Sequence, residues 1–435
     1  MNGPGQTGRT THAVKPKPKT RTPKVAKADR PRLRILWHSN APWAASGYGV
    51  QTMLFAPRIK ALGHEVAISA SFGLHGGSIN VDGVRVLPGA FAEHGQDIVG
   101  HHAKRFRADV TISLMDAWVF QPEEMGRRWV PWFPVDADPL PRILREKLPE
   151  AWSRIVFSRH AEDLCRESGI DVRYVPHGVD TRAFAPIDQA EARARLGLPA
   201  DAFLVSAVMA NKGYPSRKAW PEQLAAFAAL RERHPDAMLY LHTTIGTQML
   251  GPDLTHIMRE LGIPKQSVRA ADQYFALIGF PPDVLRAVYS ASDVLLNCSM
   301  GEGFGVPILE AQACGCPPVV GGWTAMQELT GAGWAVPVER SEPYWIPQGA
   351  WQHYPHTSAI ADALEEAYEA RGDQARRERA REFAMDYDAD RVTRDHWGPV
   401  LEEMAVLVAE EDRAAEEPQV LEVPEELRGI AGVAA

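Results

Sequence analysis

Residues 292–320 read SDVLLNCSMGEGFGVPILEAQACGCPPVV, and their order decides the fold. The run 292–298 is short and apolar, the profile of a strand buried on both faces of a parallel sheet. Gly301, Gly303 and Gly305 follow, where the backbone can take positive φ and approach a ligand closely. Val306 and Pro307 start a helix, with the proline in the first turn, where a missing N–H costs nothing. A Cys-Gly-Cys-Pro-Pro break ends that helix, and 317–322 reads as the next strand. Strand, glycine turn, helix and strand form the repeating unit of a doubly wound α/β domain.

The alternation continues outward in both directions. Upstream, strands are predicted at 33–39, 65–69, 108–115, 154–158 and 172–180, with a helix over VQTMLFAPRIKALG closed by Gly63. A second domain opens with the strand 202–210 and continues through the helix PEQLAAFAALRER and the strand 237–243 to the quoted unit. The proline-containing VPHGVDTRAFAP (175–186) is the predicted hinge. The expectation is therefore an α/β protein of two Rossmann-like doubly wound domains, 33–180 and 181–384, facing each other across a cleft. Open α/β sheets bind ligands beyond the carboxyl ends of their strands, where these motifs fall.

Composition agrees with a soluble globular chain: 435 residues, 45% hydrophobic and 23% charged. No run of 18 apolar residues and no secretory signal is present, so a cytoplasmic location is expected. Cys165, Cys298, Cys314 and Cys316 make neither a paired framework nor a zinc spacing; they read as reduced, buried thiols, and no metal site is assigned. The net charge of −8 is unevenly spread. Residues 1–32 hold nine Lys or Arg against the single acid Asp29, whereas 410–428 carry eight acids against two arginines. Both ends are expected to be flexible tails, a basic one over 1–32 and an acidic one over 410–435. The basic arm reads first as a solubilising tail and second as a weak contact with nucleic acid or an anionic surface.

Glu302 and Glu310 stand on either side of the glycine turn. The free N–H groups and dipole of the helix start favour a phosphate there. A carboxylate beside a phosphate needs a non-anionic task, and accepting hydrogen bonds from sugar hydroxyls is one. Glu310 lies roughly 7 Å along the helix axis, at ~1.5 Å per residue. One carboxylate on each side of a diphosphate suits a nucleotide-sugar, which has a sugar at each end. Glycine turns before helices are common, and two surface glutamates need no ligand; the full string after a strand is the stronger signal.

EGFGVPILEAQACGCPPVV also resembles the retaining glycosyltransferases of family 4, which have the GT-B fold. The resemblance implies that Glu310 holds the donor ribose and Glu302 the transferred sugar. It also implies that the Gly303, Phe304 and Gly305 turn faces sugar and distal phosphate. NKGYPSRKAW is similar to the family's Arg-Lys pair, so Arg217 and Lys218 would neutralise the departing diphosphate without a metal. SGYGVQT sits where the family has a glycine loop, making Gly47, Tyr48 and Gly49 candidates against the donor phosphates. In WVPWFPVDADPLP, where many members carry a histidine, the acid is Asp136. It either orients the acceptor hydroxyl or the donor sugar, or caps a turn; Asp116 at another strand end is equally open. His177 resembles the family's hinge asparagine in a turn role, and Glu328 stands at its usual place. FAMDYDADRVTRDHWGPVLEEM (383–404) resembles the terminal helix, assigned to 385–409, that crosses back to the first domain.

The implied function is hexosyl or pentosyl transfer, retaining and metal-independent, from a nucleoside-diphosphate sugar to a hydroxyl. The acceptor is open among polysaccharide, lipid, protein and modified nucleic acid; no cofactor beyond the donor is required. A nucleotide-sugar epimerase of the same fold is the alternative enzyme, and a nucleic-acid-binding protein using the basic arm the alternative non-enzyme. Two Asp-x-Asp strings, 136–138 and 388–390, match the metal signature of the other glycosyltransferase fold. Both are read as chance, on the expectation that neither lies beside the phosphate site.

Overall fold

The computed structural model describes residues 32–416. Apart from Arg32, the basic arm lies outside the described residues, as does the acidic tail beyond residue 416.

The first domain is built on eight strands: β1 (Arg34–Ser39), β2 (Glu65–Ala70), β3 (Ile79–Val81), β4 (Val84–Leu87), β5 (Val110–Leu114), β6 (Trp129–Phe133), β7 (Ile155–Val156) and β8 (Arg173–Tyr174). Their order is β3-β4-β2-β1-β5-β6-β7-β8. All pairings are parallel except the β3–β4 hairpin. Every residue of β5 and β6 is buried, as expected where helices cover both faces. β7 and β8 are shorter than the runs 154–158 and 172–180 predicted. Ser158 leaves β7 to cap the helix Arg159–Glu167, accepting from the Ala161 amide at 3.1 Å. Beyond Tyr174, Pro176 has no N–H for the ladder.

The second domain carries β9 (Phe203–Val208), β10 (Ala237–His242), β11 (Val268–Ala270), β12 (Val294–Asn297), β13 (Pro318–Gly321) and β14 (Trp334–Val336), all parallel. The order β11-β10-β9-β12-β13-β14 is the doubly wound Rossmann order. Its switch point lies between β9 and β12, and that of the first sheet between β1 and β5. The chain leaving these strands supplies the walls of one interdomain cleft.

An unpredicted antiparallel hairpin, β15 (Ser341–Ile346) and β16 (Ala350–Pro355), follows β14. Its turn holds Gly349 at φ +84°, and its strands pair Trp345 with Trp351. Backbone bonds tie it to the first domain: Asp138 N donates to Trp351 O at 2.9 Å, and Trp351 N to Asp138 O at 2.8 Å. The His353 amide donates to Met300 O at 2.9 Å on the second-domain side.

The terminal segment is several helices rather than one. The helix Gln374–Met385 ends, and Asp388 caps Ala389–Val392 by accepting from the Asp390 and Arg391 amides. A π-helical turn Thr393–Trp397 leads into Gly398–Glu416. Trp397 is buried among first-domain rings, 4.9 Å from Trp132 and 5.6 Å from Trp37. The helix runs through residues 410–416, which were expected in the acidic tail. Glu411 and Asp412 pair there with Arg128 at 2.8 and 2.5 Å, so their charge is used against the first domain.

Candidate functional site

The cleft encloses about 730 Å³ between the two switch points. Its second-domain wall starts where β12 ends. Of the three turn glycines only Gly305 has positive φ, at +118°. The other two serve a purpose the sequence reading missed. A Cβ on Gly301 would collide with the Asp136 carbonyl oxygen, and one on Gly303 with Pro134. The turn is thus pressed against the end of β6 in the other domain, which only a chain without side chains there permits. The helix Val306–Ala313 follows, with Pro307 in its first turn as predicted.

Glu302 is the centre of this wall. Its carboxylate accepts from Lys218, from Ser299 Oγ at 2.7 Å and from Arg217 Nη1 at 3.3 Å. Its own amide donates to Thr324 Oγ1 at 3.1 Å. Burial alone would raise its pKa, but Lys218 and Arg217 outweigh burial and hold it at about 2. Burial pulls Lys218 below the usual lysine range against the opposing pull of Glu302. Arg217 is held above its usual range: burial opposes its charge, and Glu302 and Asp136 restore it. These two cations precede the helix Trp220–Arg233, an unfavourable place for positive charge, and Glu302 compensates them.

Asp136 extends from the end of β6 with its carboxylate 3.7 Å from Arg217. This corrects the expectation that neither Asp-x-Asp string lies beside the predicted phosphate cations. Asp138 uses its backbone to hold β16, and Asp388 is a helix cap bonded to Thr181 at 2.6 Å. From the first domain, Ser46 caps the helix Gly47–Ala61 by accepting from the Gly49 amide at 3.1 Å. Gly47 and Tyr48 line the cleft. Gly49 does not; it is glycine because a Cβ would strike the Ala44 carbonyl. Tyr48 donates to Asp116 at 3.5 Å. Burial, with repulsion from Asp136, raises the Asp116 pKa.

Gly303, Phe304 and Gly305 line the cleft, but the Glu310 side chain is turned into the domain. Its carboxyl accepts from Tyr289 at 2.9 Å, and burial pushes its pKa up to about 7 against that bond. His177 is an aromatic packing residue, stacked on Phe157 at 4.0 Å, and burial lowers its pKa to about 3. Glu328 accepts from the Arg159 amide at 2.7 Å, capping a first-domain helix from across the interface. The four cysteines are buried and unpaired. Tyr289, Trp118 and the hairpin residues Tyr344, Ile346 and Gln352 were missed. The alternation and Pro-Gln-Gly turn of 341–355 were the available signal for the hairpin.

Two facing doubly wound sheets with the site between their strand ends define the GT-B architecture, and solved structures agree. A sucrose-phosphate synthase from Thermosynechococcus elongatus superposes with TM-score 0.62 at 18% identity, covering 88% of this chain and 99% of that one. Anabaena HepE, in complex with UDP and glucose, superposes with TM-score 0.60 at 16% identity, covering 84% of this chain and 98% of that one.

Residues 208–349 match the family described as glycosyl transferases group 1. The D-inositol 3-phosphate glycosyltransferase of Acidothermus cellulolyticus is 34% identical over 177 residues, 38% of this chain and 37% of the relative. That of Kineococcus radiotolerans is 34% identical over 217 residues, 45% of this chain and 46% of the relative. The chain thus spans between a third and a half of these relatives' length. The resemblance to family 4 drawn from the Glu302–Glu310 segment is borne out.

Proposed function

We propose that the protein is a retaining glycosyltransferase taking its sugar from a nucleoside-diphosphate sugar held mainly by the second domain. The acceptor hydroxyl is held mainly by the first. The observation that carries this reading is the Arg217–Lys218–Glu302 cluster beside the glycine turn and helix start. Arg217 and Lys218 take the charge that develops on the departing diphosphate, in place of a metal ion. The Gly303, Phe304 and Gly305 amides face sugar and distal phosphate, and Glu302 accepts from hydroxyls of the transferred sugar. Glu310 takes the ribose hydroxyls by exchanging its inward bond from Tyr289 for them. Gly47 and Tyr48 close the donor from the first domain, and Asp136 orients the incoming hydroxyl.

The acceptor oxygen attacks the anomeric carbon from the face that the diphosphate leaves. The carbon–phosphate-oxygen bond breaks, the new glycosidic bond forms, and the acceptor proton passes to the leaving phosphate oxygen. No protein nucleophile is needed. The HepE complex makes uridine diphosphate the first nucleotide to test, and the curated relatives are named for D-inositol 3-phosphate. No helix among the described residues is long and apolar enough to cross a membrane. Four unpaired thiols support a cytoplasmic location.

The test is thermal stability with a panel of nucleoside diphosphates and nucleotide-sugars on wild type and Glu310→Ala. A rise specific to one nucleotide, lost in the variant, is expected. No shift at millimolar ligand on folded protein would overturn the reading.

A further inference from the structure

We infer that the acceptor is a polyol without an anionic group, recognised between Asp116, Asp136 and an apolar wall of Trp118, Leu144, Tyr344 and Ile346. This rests on the proposed glycosyl transfer and goes beyond it in naming the acceptor's charge class. The acceptor side of the cleft is the first-domain wall. Among the described residues, that wall presents Asp116 and Asp136 to the cleft and no cation. Its one imidazole, His177, is kept neutral by burial. The cations of the cleft, Arg217 and Lys218, belong to the opposite wall, are bonded to Glu302 and face the proposed diphosphate.

An acceptor phosphate would therefore meet two carboxylates whose counter-charge, Arg217 at 3.7 Å from Asp136, is shared with Glu302 and the proposed diphosphate. Unit charges of like sign at ~6 Å in a medium of effective dielectric near 20 lower affinity on the order of a hundredfold. The Arg217 guanidinium beside Asp136 reduces that to about tenfold for the two carboxylates together. Hydroxyl and ammonium N–H or O–H groups, in contrast, donate to the same carboxylates. Trp118, Leu144 and the inward face of the hairpin, Tyr344 and Ile346, give a sugar's C–H face an apolar surface. The hairpin is held in place for this by its paired bonds to the Asp138 backbone.

The experiment uses the full chain saturated with uridine diphosphate, or whichever nucleoside diphosphate stabilises it. That stabilisation, read first, tests the donor reading separately. Inositol monophosphate is then titrated by calorimetry into wild type and the Asp116→Asn, Asp136→Asn double variant. The expected result is binding no tighter than about 10 mM in wild type and at least about tenfold tighter in the double variant. Submillimolar binding to wild type, or an affinity that the double variant leaves unchanged, overturns the inference. If the double variant does not fold, Asp116→Asn alone is expected to gain about threefold and is judged by the same criterion.

Discussion

Glu302 and Arg217 face each other at 3.3 Å, with Lys218 on the same carboxylate, so the protein places its own negative charge between the two cations of the cleft. The cluster comes from a loop after β12 and a helix start after β9, the two strands that flank the switch point. On the proposed reading, a diphosphate arriving there would take over the partners of Glu302 and release its carboxylate toward the hydroxyls of the transferred sugar.

Glu302→Gln leaves Lys218 and Arg217 without a counter-charge. Removing one member of a buried pair costs about 3–5 kcal/mol, and the partial exposure of Arg217 to the cleft reduces that here. A lowered melting temperature that a nucleoside diphosphate restores more fully than in wild type is expected. Calorimetric melting with and without nucleotide checks it, and equal nucleotide shifts in both proteins would contradict it.

Arg217→Ala and Lys218→Ala are each expected to lower kcat by about two to three orders of magnitude, the usual loss when one preorganised group for developing charge is removed. Nucleoside-diphosphate affinity should fall with it, and EDTA should leave wild-type turnover unchanged. Loss of activity in EDTA, regained with Mn²⁺, would transfer the role of the two cations to a metal.

Glu310 and Glu328 set a pH dependence of stability. Burial raises both to about 7, so between the ordinary carboxyl range and pH 7 the folded chain keeps protons that the unfolded chain releases. Their contribution is fully present below about pH 4.5 and is lost as pH rises through 7. For fully buried Glu310 the change approaches about 3 kcal/mol. Urea midpoints between pH 5 and 8 should fall more steeply in wild type than in Glu310→Gln; parallel curves would show that Glu310 titrates normally.

Gly301→Ala pushes a methyl into the Asp136 carbonyl oxygen. A loss of about 1–3 kcal/mol is expected from overpacking. Because the contact joins the domains, transfer should fall as well. Gly398→Ala is the control, since its added Cβ meets only the Thr393 carbonyl oxygen at 3.6 Å. Matching melting temperatures for the two variants would mean that the turn moves away from the first domain in solution.

Much of this was legible along the chain. Val294–Asn297 and Val306–Ala313 appeared where apolar runs, glycines and Pro307 put them, because strand and helix periods are local properties. Arg217 and Lys218 were singled out by the resemblance to family 4 rather than by any period, and the structure brings them together with Glu302 on the second-domain wall. The hairpin Ser341–Pro355 was missed because its strands are stabilised by each other and by Asp138, not by a sheet whose period the sequence announces.

The sequence by itself determined two doubly wound halves and the residue types at their strand ends. Only the tertiary structure decided which of those ends meet: Asp136 with Arg217, Gly301 with the Asp136 carbonyl, Glu328 with the Arg159 amide. It also turned Glu310 inward onto Tyr289 and put Trp397 among the first-domain rings. These contacts join segments far apart in the chain. They depend on how two sheets pack, and no local spacing encodes that.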